Sequence, residues 1–179
     1  MYRFGLIVCV ALLFSCRTAQ VEVLDRHQDF SLVQYSSFRF IENDGEAFSR
    51  DYREKINFLK DQIVRQMEAR GLTHDRENPE LLVNIGIAVE DRVQTRQTGL
   101  VTDPGTFNYI GQRRYTWKSE TVEVGRYQQG TMTIHLVDPV MGEAVWMGTV
   151  EKVLPRGAGH LQETVIRGVE KLFKQIDRD

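Results

Sequence analysis

GTMTIHLVD (residues 130–138), PVMGE (139–143) and AVWMGTVEKVL (144–154) are consecutive in the chain, and their reading decides the fold. In the first and third segments β-branched and apolar residues alternate with polar ones, the period-two pattern of strands. The middle segment carries Pro139 and Gly142, turn-forming residues. It is too short for a parallel crossover, so the two strands are expected to form an antiparallel hairpin. Upstream, residues 114–127 read as a further strand. Gln128 and Gln129 supply the short connection to the next one, giving three antiparallel strands in succession.

Two more strands precede these. Residues 81–90 alternate Val83, Ile85, Ile87 and Val89 with Asn84, Gly86, Ala88 and Glu90, one apolar face and one of small or polar residues. Residues 31–42, with Phe38 and Phe40 flanking Arg39 after Tyr35, read as the first strand and end at Asn43-Asp44-Gly45. Between them, Tyr52, Ile56, Leu59, Ile63 and Met67 recur at helical spacing within residues 50–70. Ser49 suits the cap, Asp51 the first turn and Gly71 the stop. A second helix spans residues 159–176, with Leu161, Val165, Val169, Leu172 and Ile176 on one face. The sum is an α+β fold: an antiparallel sheet of about five strands with two helices packed on one face. Residues 92–112, rich in Thr, Gln, Gly and Pro, read as a long connection and a candidate partner-contacting loop.

The amino end carries an address. Arg3 precedes an uncharged apolar run, Phe4 to Phe14, followed by Ser15 and Cys16: a basic start, an apolar core too short for a stable span and a small residue. Leu12-Leu13-Phe14-Ser15-Cys16 resembles the lipobox of bacterial lipoproteins, with Phe14 bulkier than usual there. Residues 1–15 are therefore expected to be a cleaved lipoprotein signal, Cys16 the lipid-bearing residue, 16–28 a polar tether, and 29–179 a single domain. No aspartate follows Cys16 and no acidic run follows it, so the periplasmic face of the outer membrane is the expected location. A segment of this length buries roughly 70% of its unfolded surface, enough for one core without staples. With Cys9 removed and Cys16 acylated, no disulfide or cysteine metal site is expected. A net charge of −2 and export both argue against nucleic-acid binding.

Several segments resemble the lipoprotein family known as domain of unknown function 4136. They include Asp29-Phe30-Ser31 through Tyr35 and Phe38 to Phe40; Met67-Glu68-Ala69-Arg70-Gly71-Leu72; Asn78-Pro79-Glu80-Leu81-Leu82-Val83; and Tyr127 with Gly130 to Ile134. Leu136-Val137-Asp138 and Ala144 to Thr149 complete the set. Glu80 stands where the family often has aspartate, and the carboxy end lacks its apolar-proline sequence. The resemblance implies fold and address and carries no assigned activity.

No Gly-x-Ser-x-Gly elbow occurs, and His27, His74, His135 and His160 lack paired ligand spacing, so neither a catalytic set, a metal nor a cofactor is expected. His160 and Glu163 lie three apart, but a helix start accounts for both. Gly157-Ala158-Gly159 lacks the third glycine of a dinucleotide loop. Tyr109, Arg113, Arg114 and Tyr115, with Trp117 nearby, combine cations and aromatics, the composition of a recognition surface for an envelope protein or glycolipid. The leading expectation is a lipid-anchored, non-enzymatic binding or assembly module. The alternative is a cell-wall or lipid hydrolase with Glu120, Glu123 or Asp138 as paired carboxylates.

Overall fold

The computed structural model describes residues 19–42, 49–99 and 119–178. Six strands and two long helices follow in the order β1 (Gln20–Arg26), β2 (Ser37–Phe40), α1 (Arg50–Glu68), β3 (Thr73–His74), β4 (Leu81–Gln97), β5 (Thr121–Asp138), β6 (Glu143–Leu154) and α2 (Ala158–Ile176). They make one mixed sheet of order β1-β6-β5-β4-β2-β3, with both helices packed against it. The α+β class therefore stands, with six strands.

The hairpin that decides the fold forms as expected: β5 and β6 pair antiparallel from Asp138↔Glu143 to Gln128↔Leu154. Gly142, at φ 72°, lies in its turn. Asp138 fixes that turn by accepting from the amides of Val140 (2.8 Å) and Met141 (3.1 Å). Opposed residues share a face, so Leu136 with Trp146, Ile134 with Gly148, and Met132 with Val150 all point toward the helices. Val83 and Ile85 of β4 join them through Leu136 and Ile134. The indole of Trp146 lies over Gly148, where a Cβ would overlap it.

Both helices form for local reasons. Ser49 Oγ accepts from the Tyr52 amide at 3.3 Å to cap α1. Gly71, at φ 89°, turns the chain away, and Leu72 returns its amide to the Met67 carbonyl. Leu59, Ile63 and Met67 of α1 and Val169, Leu172, Phe173 and Ile176 of α2 are buried in one cluster with Phe38, Leu81, Val83 and Trp146. The far ends of the helices are tied by Arg70, which donates to both carboxylate oxygens of Asp177 (2.8 and 2.6 Å) and stacks over Phe173.

Four expectations are corrected. Of residues 31–42 only Ser37–Phe40 is strand: Leu32–Gln34 is a 3-10 turn that drives Leu32 into the core. The sheet is not wholly antiparallel, since β2 runs parallel to β4 and to β3, with α1 as the crossover. Gln128 and Gln129 make no turn; they are paired on both sides, to Asp91 and Glu90 and to Leu154 and Val153, so β5 is one 18-residue strand. Residues 92–97 of the expected loop belong to β4, which is 17 residues long.

The stretch read as a tether also contains structure. Gln20–Arg26 is the edge strand β1, antiparallel to β6 from Gln20↔Glu151 to Arg26↔Trp146. Arg26 locks its far end by donating to the carbonyls of Arg178 (2.6 Å) and Phe30 (3.0 Å). Three residues, Arg17 to Ala19, remain between Cys16 and the sheet.

Candidate functional site

Because β2 stops at Phe40 while β4 continues to Gln97, a strand's width of sheet beside β4 is left without a neighbour among the described residues. A groove of about 300 Å³ opens there. Its floor is Phe40, Ile85 and Ile87; its wall is the amino-terminal half of α1, through Tyr52, Arg53, Ile56, Asn57 and Lys60. Lys60 holds its ammonium 5.3 Å from the centre of the Phe40 ring. Ile41 and Glu42 complete the lining, so the apolar floor is bordered by both signs of charge, Arg53 and Lys60 with Glu42, which suits an amphipathic ligand. Sequence reading assigned Tyr52, Ile56, Ile85 and Ile87 to core faces; that these faces diverge at one end is not a local property of either element.

On the side without helices, the sheet presents Asn84, Gly86 and Ala88 of β4, Thr131, Thr133 and His135 of β5, and Met147, Thr149 and Glu151 of β6. Thr133 donates to Thr149 Oγ1 (3.3 Å), which donates to the Met132 carbonyl (3.1 Å), and Gln129 donates to Glu151 (2.9 Å). The small-residue face of β4 is therefore this open face. A Cβ at Gly86 would touch only Thr133, at 3.9 Å, so that glycine is not required by packing.

Of the carboxylates weighed for hydrolysis, Glu123 and Asp138 are separated by most of the length of β5. Glu123 sits near its start, paired with Arg126 at 2.7 Å. Asp138 ends it, engaged by the turn amides and by Tyr35, which donates its hydroxyl at 3.1 Å. At about 3.4 Å per residue the two lie roughly 50 Å apart. Glu120, before the strand, lies at the Glu123 end and donates its amide to Thr98 Oγ1 (3.0 Å). Burial and the Asp138 carboxylate raise the Tyr35 pKa. Glu80 accepts from the amide (2.6 Å) and hydroxyl (2.9 Å) of Ser36, which lowers its pKa; the amides of Glu77 and Asn78 do the same for Asp75.

The four histidines are dispersed. His27 and His160 are exposed, His74 packs 5.4 Å from Phe38, and His135 lies on the open face. Glu163 pairs with Arg167 rather than with His160. Among the described residues no three His, Cys, Asp or Glu side chains converge as a metal site, and no described helix is long and apolar enough to cross a membrane. Cys16, Tyr109, Arg113, Arg114, Tyr115 and Trp117 lie outside the described residues, as does the remainder of the expected loop from 100 to 112.

The family model for domain of unknown function 4136 matches residues 21–176, from β1 to the end of α2. The chain belongs to this family. The match begins within β1, so it includes most of that strand. No curated protein matches the chain. Among solved structures, a PDZ domain protein from Parabacteroides distasonis is similar over 90% of this chain at 16% identity and TM-score 0.52. The chain spans 35% of that protein's length, and the likeness is one of fold. The PelC dodecamer of Paraburkholderia phytofirmans aligns with 90% of this chain and all of its own, at 14% identity and TM-score 0.49.

Proposed function

We propose that this DUF4136 protein is a cell-envelope lipoprotein, held by acyl chains on Cys16 at the periplasmic face of the outer membrane, and that its domain binds or assembles rather than catalyses. The observation that carries the reading is the run from Arg3 through the apolar Phe4–Phe14 stretch to Ser15-Cys16. More than one acyl chain is needed for stable anchoring, and a diacylglyceryl thioether with an amino-terminal acyl group meets that need. The binding part of the proposal rests on the groove beside β4, whose apolar floor and charged border fit an amphipathic envelope component. The paired-carboxylate hydrolase draws no support from Glu123 and Asp138, which sit at opposite ends of β5, each engaged by a neighbour.

Intact mass of the membrane-extracted protein, beside a Cys16→Ala variant with fractionation of both, tests the anchor. The expected result is a native mass equal to residues 16–179 plus acyl groups, with the variant released from membranes. An unacylated native mass overturns the proposal.

A further inference from the structure

We propose that the anchored domain lies along the bilayer, its strands close to the membrane plane and the far end of the β4–β5 ribbon running over the lipid headgroups. This rests on the lipoprotein reading and adds the surface that meets the lipid.

The first element is the leash. Cys16 and Gln20 are four residue steps apart, so their Cα atoms are separated by at most about 14 Å. The sheet therefore starts close to the acyl chains.

The second element is what extends beyond Gln20 in each direction. Gln20 is level with Glu151, and through it with Thr131 and Ala88. From that level β5 runs one way to Thr121, ten residues, or about 34 Å; it runs the other way to Asp138, seven residues, or about 24 Å. The longer arm leaves β6 behind at Leu154↔Gln128. Beyond that pair, Thr121–Tyr127 is matched only to β4 among the described residues, from Arg92↔Tyr127 to Gln97↔Thr121.

An end-on domain cannot satisfy both lengths. With the ribbon pointing at the membrane, its end would lie about 20 Å below a surface that the leash holds within about 14 Å of Gln20. That arm carries Asp91, Arg92, Arg96, Glu123 and Arg126, and such charges are strongly disfavoured in hydrocarbon. With the ribbon pointing away, the Asp138–Glu143 turn would overrun the surface by about 10 Å. Lying down relieves both conflicts.

The test uses the full lipidated protein in phosphatidylethanolamine/phosphatidylglycerol vesicles with acceptor dye on the headgroups. With Cys9 cleaved and Cys16 acylated, a donor dye on Val124→Cys or Val140→Cys is attached to the only free thiol. These sites, 47% and 94% exposed, lie at opposite ends of β5, roughly 50 Å apart. Comparable energy transfer from both, with Val124→Cys open to aqueous iodide, is expected. Transfer from one site with background from the other means an end-on domain; iodide protection at Val124→Cys means an inserted ribbon; either overturns the inference. A long Gly/Ser insertion between Thr18 and Ala19 is expected to lower transfer from both sites, and unchanged transfer equally overturns it. Protein that fails to float with vesicles and lacks acyl mass defeats the lipoprotein reading itself, a result separate from any transfer pattern.

Discussion

Along β5 one unbroken strand passes through two environments. From Met132 to Val137 it has β4 and β6 on either side and helices above, and Ile134 and Leu136 are fully buried. From Thr121 to Tyr127 it keeps only β4 among the described residues, and Val124 is about half exposed, like Val93 across the ribbon. The β4 ladder thus runs through both halves, while the second backbone partner and the side-chain burial belong to one half alone. Stability should follow burial, because each buried large apolar side chain contributes about 1.5–3 kcal/mol and an exposed one little.

The largest effect is expected where both helices and sheet meet. Phe173→Ala removes a fully buried ring and the surface on which Arg70 stacks, and should cost about 3–5 kcal/mol in urea denaturation. A loss below 1 kcal/mol would mean that the body is not tightly packed. Next is Gly148→Ala, which drives a methyl against the Trp146 indole and should cost about 1–3 kcal/mol by overpacking. Gly86→Ala on the open face, where only ordinary contact with Thr133 is made, should cost less, and equal losses would dissolve the distinction between the two faces of the sheet.

A pH effect belongs to the body as well. Glu80 is held ionised by the Ser36 amide and hydroxyl, which lowers its folded pKa. Its contribution is therefore full above the ordinary glutamate range and is lost as pH falls through the lowered value. Glu80→Gln should flatten that part of the acid limb of stability against pH; an unchanged slope would assign it elsewhere, Asp75 being the nearest alternative. The smallest effect is expected in the ribbon: Val93→Thr should stay within about 0.5 kcal/mol. Amide exchange should likewise be faster at Thr121–Tyr127 than at Ile134–Asp138; the reverse order would show that the ribbon is held by something more than its own ladder.

The family resemblance, the two helices and the β5–β6 hairpin were legible in the chain because each rests on short-range order. Ser49, Gly71 and the recurrence from Tyr52 to Met67 fix α1 locally, and Pro139 to Glu143 leaves no room for a crossover. Errors arose where an element depends on its neighbours. Gln128-Gln129 resembled a connection because polar residues end strands in isolation; with β4 and β6 on both sides they are paired mid-strand. Gln20–Arg26 looked like a tether because its residues are mostly exposed even in the sheet, as an edge strand permits. The groove was illegible for a related reason: Ile85, Ile87, Tyr52 and Ile56 have core-like spacing, and only the divergence of α1 from β4 uncovers them.

The sequence by itself determined the helix limits and the alternation of the strands, because caps, turns and periodicity act over a few residues. Tertiary structure alone decided that β2 lies parallel beside β4, that β1 joins the sheet edge four residues after Cys16, and that the β4–β5 ribbon outruns its neighbours. Those features depend on which distant segments pair and in what register, and hydrogen bonding between strands is nearly indifferent to sequence until side-chain burial selects one arrangement.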